Sequence, residues 1–113
     1  MKEGLNVVHI SGHVWSTPTL VTRNGSPLLM FKLSVPSIRR QGDSYVDTYC
    51  LIDIIMWGVK ARNLHRVLKL HGLIYVGGKL RHSTYMSKKE KKEVTKSQVE
   101  ADQVLLLGSN PKR

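Results

Sequence analysis

Residues Arg23–Val35 read RNGSPLLMFKLSV, and this stretch predicts a β-hairpin. Asn24 and Gly25 both tolerate positive φ, and Asn-Gly between apolar runs is the strongest short hairpin signal. One arm is Leu20–Thr22. The other arm, Leu28–Val35, alternates apolar and polar residues with a period of two, which predicts that one of its faces is buried. The buried face carries Leu29, Phe31, Leu33 and Val35, and the opposite face carries Lys32 and Ser34.

The same alternation continues on both sides of this hairpin. Upstream it covers Leu5–Trp15, and downstream it covers Val46–Trp57, Leu73–Tyr85 and Val94–Leu107. Pro36 is expected to end the strand before it, and residues 37–45 are expected to form a polar loop. A charged turn is expected at 86–93. Cys50 is predicted to point inward as a small core residue beside Ile52 and Ile54, and Leu80 is also predicted to point inward.

One segment changes to a helical period. Val59–Leu70 places Ala61, Leu64, Val67 and Leu68 on one stripe, which predicts an amphipathic helix. His71-Gly72 is expected to close it, because glycine just past the last turn is a common C-cap. The basic residues Arg62, Arg66 and Lys69 fall on another face, which is expected to be solvated.

The order of these elements predicts an all-β fold. It is a five-stranded OB-fold barrel with one short helix between strands 3 and 4. Gly77-Gly78 in the middle of a strand predicts a bulge or a sharp barrel bend. With 113 residues, the chain is expected to be a single domain over 1–113, with a core at about 5–107 and a basic tail at 108–113.

The charge balance predicts a polyanionic partner. Lys and Arg total 18 against 8 Asp and Glu, which gives a formal net charge of +10. The single cysteine excludes an internal disulfide framework. No apolar run is long enough to span a membrane, and the first ten residues do not resemble a secretory signal. We therefore expect a cytoplasmic or nucleoid protein, or one of an organellar matrix if a presequence has been removed.

The sequence favours neither a metal site nor catalysis. His9 and His13 lie about 13 Å apart if a strand rises roughly 3.3 Å per residue, which is too far for a chelating pair. Asp47 and Asp53 share a strand face but lie about 20 Å apart by the same rise. No Walker A loop, dinucleotide fingerprint or nucleophile elbow is present in the sequence. No catalytic residue, metal or cofactor is predicted.

Four segments together resemble the bacterial single-stranded-DNA-binding proteins. They are NVVHISGHVWSTPTL, RNGSPLLMFKLSV, DTYCLIDIIMWGVKARNL and HGLIYVGGKLRHSTY, and the likeness spans roughly residues 5–107. The resemblance implies base stacking on barrel-face aromatics and a homotetramer. Trp57 matches the family's aromatic before glycine, and Tyr85 its aromatic at the end of the fourth strand. The aromatic expected six residues before Trp57 is Leu51 here, with Tyr49 two residues earlier on the same face.

The resemblance and the alternation together nominate the binding residues. Bases are expected to stack on Trp57, Tyr85 and Tyr49, which could alternatively pack under loops or at a subunit contact. Trp15 is expected in the core or at an oligomer contact, with nucleic-acid contact as the less favoured alternative. Phosphates are expected to contact nine basic residues: Lys32, Arg39, Arg40, Lys79, Arg81, Lys88, Lys89, Lys91 and Lys92. The four lysines at 88–92 could alternatively form only a solvated hairpin tip.

The sequence thus predicts a non-enzymatic protein that binds single-stranded DNA with little sequence preference, in replication, recombination or repair. RNA is a further candidate ligand, since the sequence does not separate the two. The second hypothesis is an OB-fold interaction subunit of a primosome-like or RNA-editing-like complex, which binds partner OB proteins and binds RNA or single-stranded DNA weakly. A homo-oligomer, with a tetramer favoured, or a hetero-oligomer with other OB-fold subunits is expected. No membrane partner is expected.

Overall fold

The computed structural model of the chain describes residues 4–87, 89 and 91–108. It contains six strands and one helix, which are β1 (Val8–Val14), β2 (Thr19–Arg23), β3 (Ser26–Gln41), β4 (Ser44–Trp57), α1 (Val59–Val67), β5 (Leu73–Ser87) and β6 (Lys92–Gly108).

Five of the strands close into a barrel. The strand order is β1-β5-β6-β4-β3, and β1 pairs again with β3 through His13 and Val14, which closes the ring. Neighbouring strands are antiparallel except β4 and β6, whose short parallel pairing joins Ile54 and Ile55 to Val99 and Glu100. The predicted all-β barrel is therefore confirmed.

The helix lies between β4 and β5, and not between strands 3 and 4 as predicted. The count differs because Thr19–Arg23 forms a strand of its own, β2, which pairs only with β3. β1 and β2 follow one another along the edge of β3, with a break at residues 15–18. The predicted hairpin between β2 and β3 is confirmed, since Asn24 and Gly25 have φ of 53° and 80°.

Close backbone approaches explain two glycines in the barrel wall. A Cβ on Gly12 would overlap the Ser34 carbonyl, at the point where β1 passes from β5 to β3. A Cβ on Gly78 would overlap the Glu100 carbonyl, and the β5–β6 register shifts between Gly77 and Gly78. The predicted bulge at this pair of glycines is therefore confirmed.

The barrel interior holds one apolar core. Six of its side chains are almost completely buried: Val14, Leu29, Leu33, Ile54, Ile74 and Val76. Ala61 and Leu64 of α1 and the following Leu68 pack against this core. The helix ends at Val67, three residues earlier than predicted, because two backbone hydrogen bonds between Val14 and the segment His71–Gly72 draw the chain back to β1.

Three sequence predictions about the strands are wrong. Pro36 does not end β3, and residues 37–45 are not a loop, because β3 and β4 continue as a long hairpin that turns at Gly42. Cys50 is on the core-facing side of β4 but is exposed, since it lies in the part of this hairpin beyond the buried core. Leu80 pairs with the buried Val99 but is half-exposed, because the pairing of β1 with β5 stops at Gly78.

Candidate nucleic-acid interface

The outer face of the β3–β4 sheet carries Lys32, Tyr49 and Trp57 of the residues predicted to meet nucleic acid. Residues that pair directly across an antiparallel ladder point to the same side of the sheet. The pairs on this side include Pro36 with Tyr49, Ser34 with Leu51, Lys32 with Asp53, Met30 with Ile55 and Leu28 with Trp57. The opposite side carries Leu29, Leu33 and Ile54 of the core.

A groove runs along this outer face. It consists of two adjoining depressions of about 370 Å³ and about 340 Å³, which share Met30, Ile55 and Gln98. The first depression adds polar and charged residues of five segments, including Ser16, Thr17, Thr19, Lys32, Asp53 and Lys96. The second adds Arg23, Leu28, Trp57, Arg81 and His82.

Three charged side chains meet in the first depression. Lys32 Nζ donates to Asp53 Oδ1 at 2.8 Å, and Lys96 Nζ lies 2.8 Å from Asp53 Oδ2. Partial burial acts to raise the pKa of Asp53, but the hydrogen bonds and positive charges of the two lysines outweigh it and hold that pKa below its ordinary value. Asp53 is therefore ionised at neutral pH, and this lysine–aspartate–lysine triad carries a net charge of one positive unit.

Trp57 lies at one end of the groove, and a pair of exposed aromatic rings lies beyond its other end along β4. Trp57, at the end of β4, is 38% exposed and lines the second depression. The rings of Trp15 and Tyr49 pack with their centroids 5.9 Å apart and their planes inclined by 31°. Both are about half-exposed, and Trp15 N donates to the Lys32 carbonyl, which places the Trp15 backbone next to that of Lys32.

The structure brings some predicted phosphate contacts into the groove. Lys32 and Arg81 line it, although each is ion-paired, Lys32 with Asp53 and Arg81 with Glu100. Lys79 is exposed on β5 and pairs across the ladder with Glu100. The two strong candidates inside the groove therefore share their charge with carboxylates of the protein.

Other predicted contacts lie on the two hairpins, away from the groove. Arg39 and Arg40 are near the tip of the β3–β4 hairpin, on opposite faces, and Arg40 Nε donates to the Gly42 carbonyl at 3.1 Å. Lys89, Lys91 and Lys92 are exposed at the tip of the β5–β6 hairpin. Lys88 and the side chain of Tyr85 lie outside the described residues.

Sequence reasoning missed the contacts within this surface. Trp15 is exposed beside Tyr49 and is not part of the buried core. The sequence groups Lys96 with the basic cluster at 88–92, but it does not link Lys96 or Lys32 to Asp53, because the three residues lie on different strands whose register the sequence does not give. The alternation within β4 did indicate that Asp53 shares a face with Tyr49 and Trp57.

Two absences concern only the residues that the structure describes. Among them, no three His, Cys, Asp or Glu side chains are placed so that they could hold a metal ion. None of the helical segments found there has the length and apolar character needed to cross a bilayer.

A barrel with an aromatic and basic groove on its outer face is typical of proteins that bind single-stranded nucleic acid. A sequence model of the single-strand binding protein family matches residues 5–107, and the chain belongs to that family. This confirms the resemblance found in the sequence. The family is one of binding proteins.

One curated relative and one solved structure are similar to this chain. It is 30% identical over 88 residues to the single-stranded DNA-binding protein of Treponema pallidum (strain Nichols), a match that covers 78% of this chain and 49% of the relative. The chain thus spans about half the length of that protein. The small single-stranded DNA-binding protein from Streptomyces coelicolor is 18% identical in sequence, with a TM-score of 0.70 over 88% of this chain and 92% of that one. This likeness shows that the barrel is an OB-fold.

Proposed function

We propose that this chain binds single-stranded DNA with little sequence preference and without a chemical step. The observation that carries the proposal is the groove, which has exposed aromatic rings at both ends and cationic side chains between them. Stacking on an aromatic ring is available to every base, so it needs no particular sequence. Membership of the single-strand binding protein family supports the same function.

The path that we propose for the strand follows the groove. Bases stack on Trp57 at one end and on the Trp15–Tyr49 pair at the other. Along β4, Tyr49 and Trp57 lie about 26 Å apart at roughly 3.3 Å per residue. Phosphates contact basic residues between the rings and on the two hairpins. The net charge of +10 attracts the polyanion over longer distances.

The biological role that we propose is to hold and protect single strands during replication, recombination or repair. The chain acts as a homo-oligomer in this proposal, with a tetramer favoured, in the cytoplasm or nucleoid or in an organellar matrix. The alternative of an OB-fold interaction subunit is less well supported, because the exposed rings and cations face a groove open to a strand.

Tryptophan fluorescence tests the proposed function directly. The chain has two tryptophans, so Trp15→Ala leaves Trp57 as the only reporter and Trp57→Ala leaves Trp15. Each variant is titrated with a dT oligonucleotide of about 35 bases, with a duplex and an RNA of the same length as controls. We expect quenching of both reporters by the single strand and little by the duplex.

Two results would contradict the proposal. The first is an unquenched spectrum for both reporters together with no measurable binding. The second is equal binding of single strand, duplex and RNA, which would reduce the interaction to general attraction between a basic protein and a polyanion. Either result would favour the interaction-subunit hypothesis.

A further inference from the structure

The lysine–aspartate–lysine triad occupies the stretch of the groove that a strand must cross between the two aromatic ends. Lys32 comes from β3, Asp53 from β4 and Lys96 from β6, so three strands place these groups together. The two lysine side chains are about half-exposed, whereas that of Asp53 is only 20% exposed. The ammonium groups are therefore accessible to a ligand in the groove, and the carboxylate lies beneath them.

The geometry of the triad matches that of a two-oxygen anion. Each ammonium contacts a different oxygen of one carboxylate, at 2.8 Å in both cases. A phosphodiester also presents two unesterified oxygens with a single shared negative charge. Two cations arranged to receive a carboxylate in this way can receive a phosphodiester in the same way, since both are charge-assisted hydrogen bonds to paired oxygens.

We infer that Lys32 and Lys96 form a phosphodiester subsite, which the Asp53 carboxylate occupies while no strand is bound. This inference rests on the proposed function and adds a residue that opposes binding. Asp53 competes with the phosphate for both lysines, so the affinity of the groove is set lower than its aromatic rings and cations alone would give. A protein that must release its strand to other enzymes benefits from such a competitor.

Salt dependence distinguishes this subsite from ordinary surface lysines. Each phosphate neutralised on a single strand adds about 0.7 to the slope of log K against log salt, because counterions leave the strand. Lysines already neutralised by an internal carboxylate contribute less than this. Removing that carboxylate should steepen the slope by about 0.7, because one carboxylate neutralises one of the two lysine charges.

The test compares Asp53→Asn with Asp47→Asn. Asp47 lies on the same face of β4, about 20 Å from Asp53 at 3.3 Å per residue, so its variant removes the same charge from the same strand. Both are titrated with the dT oligonucleotide between 50 and 200 mM salt. If the slopes converge near 1 M salt, we expect Asp53→Asn to bind about threefold more tightly than the parent at 200 mM, with a larger gain at 50 mM. Asp47→Asn should change the slope little.

A triple variant tests whether the gain comes through the two lysines. In Asp53→Asn combined with Lys32→Gln and Lys96→Gln, the gain should disappear. The double variant Lys32→Gln with Lys96→Gln retains Asp53 and should bind more weakly than this triple variant, because an unneutralised carboxylate then faces the strand. Thermal unfolding of each variant establishes that it is folded, and this second comparison holds even if Asp53→Asn alone is unstable.

The outcomes separate this inference from the proposed function. If the parent binds dT and Asp53→Asn binds equally or more weakly with an unchanged slope, Asp53 only aligns the lysines and the inference is overturned. If the parent does not bind dT, the proposed function is overturned and this inference with it. A gain of equal size in Asp47→Asn would reduce the effect to net charge and also overturn the inference.

Discussion

At the scale of single residues, Tyr49 and Tyr45 provide a matched pair of tyrosines. Both are exposed on the outer face of β4, four residues apart, but only Tyr49 packs on Trp15 beside the groove. We expect Tyr49→Ala to weaken dT binding by about 1 kcal/mol or more, since stacking contributes roughly 1–3 kcal/mol per base. Tyr45→Ala should have a smaller effect. Equal losses measured by fluorescence titration would place the strand along the hairpin rather than in the groove.

Acid should expose the contribution of Asp53 to stability. The pKa of Asp53 is lowered in the folded protein, so its ion pairs contribute fully above its ordinary pKa of 3.8 and are lost as the pH falls through the lowered value. We expect Asp53→Asn to be less stable than the parent by about 1 kcal/mol at neutral pH, the scale of partly exposed ion pairs. Urea unfolding should show this difference shrinking as the pH falls below 3.8. A difference of constant size would indicate a role in packing.

Alternation along one strand was enough to predict that Trp57, Lys32 and Arg81 point away from the core. It could not show that Lys96 contacts Asp53 or that Trp15 packs on Tyr49, because these contacts depend on which strands neighbour each other around the barrel. Ion pairs across strands are invisible to a pattern read along the chain. The sequence therefore indicated the face of the site but not its internal electrostatics.

At the scale of strands and turns, Gly12 and Gly78 each lie where two backbones approach too closely for a Cβ. We expect Gly12→Ala and Gly78→Ala each to destabilise the fold by about 1–3 kcal/mol, the scale of overpacking in a close-packed structure. Gly4→Ala is the control, since a Cβ there meets nothing within 4 Å. Urea unfolding midpoints give the comparison. An unchanged midpoint for both barrel variants would contradict these close approaches.

The β3–β4 hairpin shows why residues 37–45 were wrongly predicted as a loop. A two-stranded ribbon that extends beyond the barrel has water on both faces, so burial selects no apolar alternation in it. The two strands there are held by backbone pairing, which runs from the pair Pro36 and Tyr49 to the pair Gln41 and Ser44. Polar composition therefore separates buried from exposed segments here, and does not separate strand from loop.

Shortening this hairpin should weaken binding without unfolding the barrel. Residues 38–47 can be replaced by Asn-Gly, because Ser37 and Thr48 are already partners in the ladder. The core remains, since its buried side chains lie outside the removed segment. Loss of Arg39 and Arg40 should lower the magnitude of the salt slope by up to about 1.4. A shortened chain with an unchanged slope would exclude these arginines from the interface.

At the scale of the whole molecule, the excess of positive charge predicts strong salt dependence. If four phosphates are neutralised, the slope of log K against log salt is about −2.8, which corresponds to roughly a fiftyfold loss of affinity between 50 and 200 mM salt. Titration of the parent chain with dT across this range measures the slope. Affinity that does not change with salt would show that stacking alone holds the strand, and that the charge of +10 serves another purpose.

The double pairing of β1 also constrains how the chain reaches its native state. β3 with β4 and β5 with β6 are hairpins between neighbouring segments and can form early, whereas β1 must find β5 about seventy residues away. Pairing between strands so far apart in the sequence is slow, because chain entropy is lost before any contact compensates for it. The nascent chain therefore displays both hairpins, with their exposed apolar faces, before its first strand seals the ring, and this interval is when aggregation is most probable.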